Sequence, residues 1–335
     1  MSKQTVFVTG ASGFIGTRIV RSLLTRNYNV RAGVHNLSKV KAIQNNPDFE
    51  VVEIDICNKN SLKHVFDGVD FLYHFAASVN SKLPAEKLYH VNVEGTRNTW
   101  EAASQAGVKK TLYCSSTAVY GLLSKKEKMI TEDVPARAVE PYGNSKLEGE
   151  KIVNKIRKAK GLNSIIIRPT AVFGPGERST FGKLLKGAAY SKLLLSGGFQ
   201  NKKFSYVHVQ DVAEAAIHLM ENEGNSEHIF NIAVDQSITY EEAFRSYLQA
   251  LDKTGLEYIK VRLLGKLSYI VEHIPGITRW LSSNKDSRFA FGIWKPGFDL
   301  TFSSQRLLST SYRFRWNNFE DVIASCIDVS RSIPN

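Results

Sequence analysis

The stretch FVTGASGFIG, Phe7 to Gly16, decides how this chain begins to fold. An apolar run, Thr5-Val6-Phe7-Val8, stops at Thr9, and glycines fall at positions 10, 13 and 16 before an amphipathic segment starts. A strand that turns through glycine into a helix leaves the helix's first N–H groups free. It also leaves a partial positive charge of about half a unit at that end. Gly10 and Gly13 would let a pyrophosphate approach the backbone, and Gly16 would let the helix pack closely on the strand. The spacing, Gly-x-x-Gly-x-x-Gly, is wider than that of the commonest dinucleotide fingerprint. A glycine-rich turn that holds no ligand is the competing reading at this point.

Outward from this turn, apolar β-rich runs alternate with amphipathic segments. The strand candidates are Thr5–Val8, Asn29–Val34, Glu50–Ile54, Phe71–His74, Lys110–Cys114 and Ser164–Arg168. The helix candidates are Ile15–Thr25, Ser38–Gln44, Asn60–Phe66, Leu88–Gln105 and Ser145–Lys158. Such alternation, with near-continuous apolar strands, predicts an α/β fold: a doubly wound parallel sheet covered on both faces. After Pro169 the alternation breaks, punctuated by Gly174-Pro175-Gly176 and Gly197-Gly198. Further elements are expected at Phe204–Val209, Asp211–Glu221 and His228–Ile232. Residues 1–170 with about 204–234 are expected to form the dinucleotide-binding domain. Residues about 171–203 and 235–320 would form a smaller substrate lobe over the carboxyl ends of the strands.

The 335 residues are 43% hydrophobic and 23% charged, an ordinary globular composition. Cys57, Cys114 and Cys326 are scattered, which fits a reducing compartment and excludes a disulfide framework. No metal-like spacing is present. No signal peptide and no 18-residue apolar run is visible, so a cytoplasmic protein is expected. The net charge of +12 suits a basic, soluble surface or attraction to phosphates or an anionic membrane face. The basic residues are spread along the chain without a nucleic-acid-binding motif, so no nucleic-acid partner is expected. Val261–Leu281, apolar and basic with a Trp, reads as a cap helix packed on the core. The alternative is an interfacial helix in peripheral contact with a membrane.

Where the second strand ends, a carboxylate would bond the ribose hydroxyls of NAD, whereas a basic group would accept the 2′-phosphate of NADP. No Asp or Glu lies between Val30 and Asp48, and Arg31, His35, Lys39 and Lys41 are available. NADP(H) is therefore favoured over NAD(H).

Among 13 tyrosines, only Tyr142 has a lysine, Lys146, four residues later. Residues i and i+4 share a helix face, and a nearby cation is expected to lower the phenol from its ordinary pKa near 10. A solvated helix face is the plainer reading of that pair alone. The strand Lys110–Cys114, however, runs into CSSTAVYG, Cys114 to Gly121, which puts hydroxyls at the carboxyl end of a central strand. A hydroxyl there could fix a substrate oxygen against the phenol, or merely satisfy the chain as it leaves the sheet.

Together these features resemble the extended short-chain dehydrogenase/reductase family, the NAD-dependent epimerases and dehydratases, over most of the chain. The matching segments are Thr9–Gly16, Asp55-Ile56, His74-Phe-Ala-Ala77, Asn92-Val-x-Gly-Thr96, Ser115–Gly121, Tyr142-x-x-x-Lys146 and Arg168–Pro175. The resemblance implies a Rossmann-type fold and hydride chemistry, with the hydride carried by the cofactor. It implies Ser116, Tyr142 and Lys146 as the catalytic residues, with Thr117 as the fallback hydroxyl. It implies cofactor contacts from Gly10, Ser12, Gly13, Phe14, Ile15, Gly16, His35, Lys39, Asp55, Ile56, Phe75, Ala76, Ala77, Asn92, Tyr142, Lys146, Pro169, Thr170 and Val172. Ser78, Thr117, Ala118 and Arg178 are the candidate substrate contacts, and Tyr206 and Asp211 are expected to be structural. A homodimer through Leu88–Gln105 and Tyr142–Lys158 is also implied.

Departures narrow the choice. Dehydratases of the family carry Asp-Glu after the catalytic hydroxyl, where this chain has Thr117-Ala118. Many sugar-nucleotide epimerases place an Asn after the strand ending at Arg168, where this chain reads Pro169-Thr170-Ala171-Val172. The closer likeness is to the 3β-hydroxysteroid dehydrogenase and dihydroflavonol reductase branch. The expected substrate is a secondary alcohol or ketone that is sterol-, terpenoid- or flavonoid-like. A nucleotide-sugar 4-epimerase or reductase with bound NAD is the alternative, and a non-catalytic dinucleotide-binding regulator is the alternative of another class.

Overall fold

The computed structural model describes residues 3–39, 46–79, 83–121, 129–177, 201–224, 226–250 and 299–331. Its strands are β1 (Thr5–Thr9), β2 (Asn29–Val34), β3 (Phe49–Glu53), β4 (Phe71–His74), β5 (Lys110–Cys114), β6 (Asn163–Pro169), β7 (Ala171–Phe173), β8 (Lys203–Phe204), β9 (Tyr206–His208), β10 (Ile229–Ile232) and β11 (Ile238–Thr239). The helices are α1 (Gly16–Thr25), α2 (Ala85–Tyr89), α3 (Gly95–Gln105), α4 (Pro141–Lys160), α5 (Val209–Glu221), α6 (Tyr240–Ala250), α7 (Gln305–Leu308) and α8 (Phe319–Arg331).

Seven strands make one parallel sheet in the order β10-β6-β5-β4-β1-β2-β3. The order reverses between β1 and β4, the switch point at which open α/β sheets bind ligands. Alternating side chains serve opposite faces. Val6 and Val8 pack with Ile19, Val20 and Leu23 of α1 and with Val212 and Ala216 of α5. Phe7 points the other way, into a cluster with Ile54, Phe66, Leu72 and Ala103. Trp100 of α3 and Val153 of α4 cover Tyr113 and Ile166 on that side. Each of the buried Val, Leu, Ile and Phe side chains among these contributes about 1.5–3 kcal/mol. The expected doubly wound sheet is therefore the observed architecture.

A second apolar cluster gathers Phe173, Phe204, Tyr206, Phe244 and Phe319 from β7, β8, β9, α6 and α8. Here β7 pairs with β9 in parallel and β8 with β11 antiparallel. Tyr206 donates its hydroxyl to the Asn317 carbonyl, and Asp211 accepts the backbone N–H groups of Arg315 and Trp316.

Three segments differ from expectation. Asn60–Phe66 is a short 3-10 turn, Lys59–Leu62, after which His64 takes a φ of 62° that no helix continues. The helix expected over Leu88–Gln105 begins at Ala85 and contains a π turn, His90–Glu94. Phe204–Val209 divides at Ser205, whose hydroxyl accepts the Phe302 N–H. Of Ser38–Gln44, only the end of a 3-10 turn, Leu37–Lys39, lies within the described residues. Val261–Leu281 lies outside them.

Candidate active site

The glycine turn is tight. Gly13 N–H donates to the Gly10 carbonyl at 2.9 Å, and Thr17 N–H to the Gly13 carbonyl at 3.1 Å. A Cβ on Gly16 would lie 2.2 Å from the Gly10 oxygen. A Cβ on Gly10, whose φ is +67°, would lie 2.7 Å from the Ala76 nitrogen. Glycine is thus required for turn and helix to close on each other and on the chain leaving β4. Helix α1 has no side-chain N-cap and no carboxylate in its first turn. An uncapped helix end behind a glycine cradle fits the pyrophosphate of a dinucleotide.

The candidate catalytic side chains meet two strands away. Ser116 caps the 3-10 turn Thr117–Tyr120 that follows β5, and its Oγ accepts the Ala118 N–H at 3.1 Å. The same hydroxyl stands close enough to the Tyr142 phenol to pull its pKa down. Tyr142 lies in the first turn of α4, started by Pro141, and Lys146 follows one turn on. Gly143 lets this helix end touch the serine turn, since a Cβ there would lie 2.5 Å from the Ala118 oxygen. Lys146 is buried, and its ammonium lies 4.7 Å from the centre of the Tyr113 ring.

One electrostatic expectation is reversed. Burial pushes the Tyr142 phenol well above its ordinary value, and the Cys114 thiol adds to this. Ser116 is the group that pulls it down. Burial also lowers Lys146, against the opposing pull of Cys114 and Glu150. Burial therefore favours the protonated phenol.

Beneath these groups runs a neutral relay. Ala76 N–H donates to Thr9 Oγ1 at 3.2 Å, Thr9 Oγ1 pairs with His74 Nδ1 at 2.8 Å, and His74 Nε2 pairs with Thr96 Oγ1 at 3.2 Å. Thr96 in turn donates to the Asn92 carbonyl at 2.8 Å. Asn92 is buried in the π turn. Its amide donates to the Ser78 carbonyl and Ser145 Oγ, and its Oδ1 accepts the Ser78 N–H at 2.7 Å. Ser145 Oγ donates to the Tyr142 carbonyl at 2.8 Å. The chain from Phe75 to Ser78 is thereby tied to both the glycine turn and α4. Tyr113, Ser145 and Cys114 were not read from the sequence, because a buried aromatic, serine or thiol carries no spacing signal.

The remaining predicted residues line the same carboxyl edge. His35 is exposed at the end of β2. Lys39 closes the following 3-10 turn. Asp55 accepts the Cys57 N–H at 2.9 Å. The Ile56 side chain is taken by the core, where Gly95 makes room for it. Pro169 ends β6, Thr170 donates to the Ser205 carbonyl, and Val172 lies in β7. Thr117 and Ala118 follow Ser116 on the same turn. Arg31 is not available to a cofactor phosphate. Its guanidinium is held by Glu50 at 2.8 Å and by the carbonyls of Val65 and Asp67. Arg178 and Lys41 lie outside the described residues.

With the site placed, similarity to known proteins is informative. The model of the NAD dependent epimerase/dehydratase family matches residues 6–233. An Arabidopsis thaliana 3beta-hydroxysteroid-dehydrogenase/decarboxylase, isoform 2, is 28% identical over 79% of this chain and 47% of its own length. The N-acetyl-alpha-D-glucosaminyl-diphospho-ditrans,octacis-undecaprenol 4-epimerase of Escherichia coli O157:H7 is 30% identical over 74% of this chain and 72% of its own. The matches span about half the length of some of these curated relatives. The Thermus thermophilus UDP-glucose 4-epimerase, solved with NAD, shares the fold: TM-score 0.75, 23% identity, 99% of this chain and 100% of that one covered.

Proposed function

Because the chain belongs to the NAD-dependent epimerase/dehydratase family, we propose that it is an oxidoreductase interconverting a secondary alcohol and its ketone on a sterol-, terpenoid- or flavonoid-like skeleton. The observation that carries this reading is the packing of the Ser116 turn against the helix end that bears Tyr142, one turn from the buried Lys146. A nicotinamide dinucleotide, when bound, supplies the hydride. Gly10, Gly13 and Gly16 would seat its pyrophosphate, and Lys146 would meet its ribose hydroxyls. Tyr142 gives its proton to the substrate oxygen during reduction and takes it back during oxidation. Ser116 holds that oxygen in place and steadies the phenolate that remains. Val79 and Val139, exposed next to Ser78 and near Tyr142, favour an apolar substrate skeleton.

The cofactor is read as NADP(H). No carboxylate follows β2, and His35 stands exposed where one would bind the adenosine ribose. Titration with both cofactors should give the lower Kd for NADP(H); equal or tighter binding of NAD(H) overturns this part. Replacing Tyr142 by Phe should lower kcat on such a ketone by about 10²–10⁴ while cofactor binding is kept. A variant with unimpaired turnover would remove Tyr142 from the mechanism.

A second reading, nucleotide-sugar 4-epimerase, is favoured by the Escherichia coli relative. A homodimer through α3 and α4 suits either reading. A reductase exchanges cofactor with solution and changes absorbance at the nicotinamide band. An epimerase retains its cofactor and shows no net change.

A further inference from the structure

The segment from Ser115 to Gly121 carries Ser116 and is anchored at both ends to one buried ion pair. Near its start, Ser115 Oγ donates to Glu150 Oε1 at 2.5 Å. Near its end, the Tyr120 hydroxyl accepts from Arg168 Nη1 at 2.8 Å and donates to Asn231 Oδ1 at 2.8 Å. Arg168 in turn grips Glu150 with two prongs, Nε to Oε1 at 2.9 Å and Nη2 to Oε2 at 2.6 Å. Glu150 stands on α4, about two turns after Tyr142 on the same rigid helix. Arg168 stands on β6, which is hydrogen-bonded to β5 up to Cys114, and Ser115 N–H adds a bond to the Ile167 carbonyl.

The side chains of the pair are only 5% and 3% exposed. A buried ion pair is weak as a stabiliser, because apolar residues of the same volume serve a core as well or better. Its distinctive property is direction: a planar fork fixes the distance and angle of every group it holds. Here the groups held are the two ends of the serine turn and the helix that bears the tyrosine.

We infer that Glu150 and Arg168 are positioning residues that set the separation of the Ser116 hydroxyl from the Tyr142 phenol. The inference rests on the reading of Ser116 and Tyr142 as the reacting pair. Loosening the fork frees the serine turn at both ends, while the glycine turn, two strands away, keeps its geometry.

The test uses the full chain labelled with ¹³Cζ-tyrosine. Tyr142→Phe assigns the Tyr142 resonance, and Ser116→Ala supplies the displacement expected of a phenol that has lost its serine partner. Arg168→Lys keeps a charge opposite Glu150 but loses the fork and the Tyr120 bond. In folded protein well below its melting temperature, it should move the Tyr142 resonance in the direction of Ser116→Ala, by a comparable amount. Ser115→Ala and Tyr120→Phe, which each cut one end of the turn and spare the ion pair, should move it by less. They also serve if Arg168→Lys does not fold. Where turnover is measured, kcat should fall about 10²-fold with KM and cofactor Kd little changed, as for a misplacement of about 1 Å. If the variants melt earlier yet leave the Tyr142 resonance at its wild-type position, the pair is a structural tie only and the inference is overturned. The resonance needs no substrate, so a failure of the proposed oxidoreductase reading is seen separately.

Discussion

Two polar clusters lie buried on either side of β5, and they solve the same problem in opposite ways. On the β4 side, His74 is 1% exposed between the hydroxyls of Thr9 and Thr96. Burial, helped by the charge of Lys146, depresses its pKa to about 3. It survives in the core by shedding its proton. On the β6 side, Glu150 and Arg168 keep their charges and neutralise each other at 2.6 Å. The difference follows from the neighbour. A second cation beside the Lys146 ammonium would be repelled, whereas a carboxylate one turn along α4 is attracted. Of these two clusters, the one that keeps charge is the one with a partner of opposite sign within reach.

Mutations can break this comparison. The largest effect is expected for Arg168→Met, which leaves Glu150 buried without its partner. Urea unfolding should show a loss of about 3–5 kcal/mol, and Glu150→Leu added to it should recover much of that loss. If the single variant unfolds like wild type, the pair is not balanced as described.

Next comes His74→Leu, which strands two hydroxyls but no charge. About 1–3 kcal/mol is expected, and a loss equal to that of Arg168→Met would erase the distinction between the clusters. Because the folded pKa of His74 lies below its unfolded value near 6.5, the unfolded chain binds the extra proton between those values. Stability should therefore fall as pH drops below about 6.5, by at most about 1.4 kcal/mol per pH unit for this group. His208, also held low at about 4, adds a slope of the same sign. The slope should shrink in His74→Leu; a wild-type slope in that variant would refute the assignment. The smallest effect belongs to the surface pair Lys59–Glu101, where both partners are exposed. Lys59→Ala should cost no more than about 1 kcal/mol by the same unfolding measurement.

Much of this architecture could be read from residues alone. β2, β4 and β5 have the expected limits, since apolar runs bounded by polar residues leave little choice of ends. The glycine turn and the Tyr142–Lys146 pair carry fixed spacings, while Ser116 is singled out over Thr117 only through the family resemblance. The supporting groups could not be named in advance. Glu150, Ser115 and His74 are ordinary polar residues in sequence, and only the sheet order brings Glu150 against a residue of β6. The phenol's upward shift was missed for a related reason: spacing shows a nearby lysine but not how far the fold desolvates the phenol. The basic excess was read as spread along the chain. Acidic and basic side chains in fact balance among the described residues, so the +12 belongs to the other segments.

The π turn at His90–Glu94 has a further consequence. Gly95 N–H reaches back five residues, to the His90 carbonyl, instead of four. One surplus residue in a helix advances its phase by about 100°. Ala85–Tyr89 and Gly95–Gln105 therefore present faces that an uninterrupted helix of the same sequence could not present together. Leu88 and Trp100 are both fully buried across that phase break, and Asn92 is turned inward at the break itself. The surplus residue acts as a vernier, setting the clock angle at which Asn92 meets the Ser78 backbone. Removing a neighbour of Asn92 there would leave the Asn92 amide and the Ser78 backbone intact and still point the amide the wrong way.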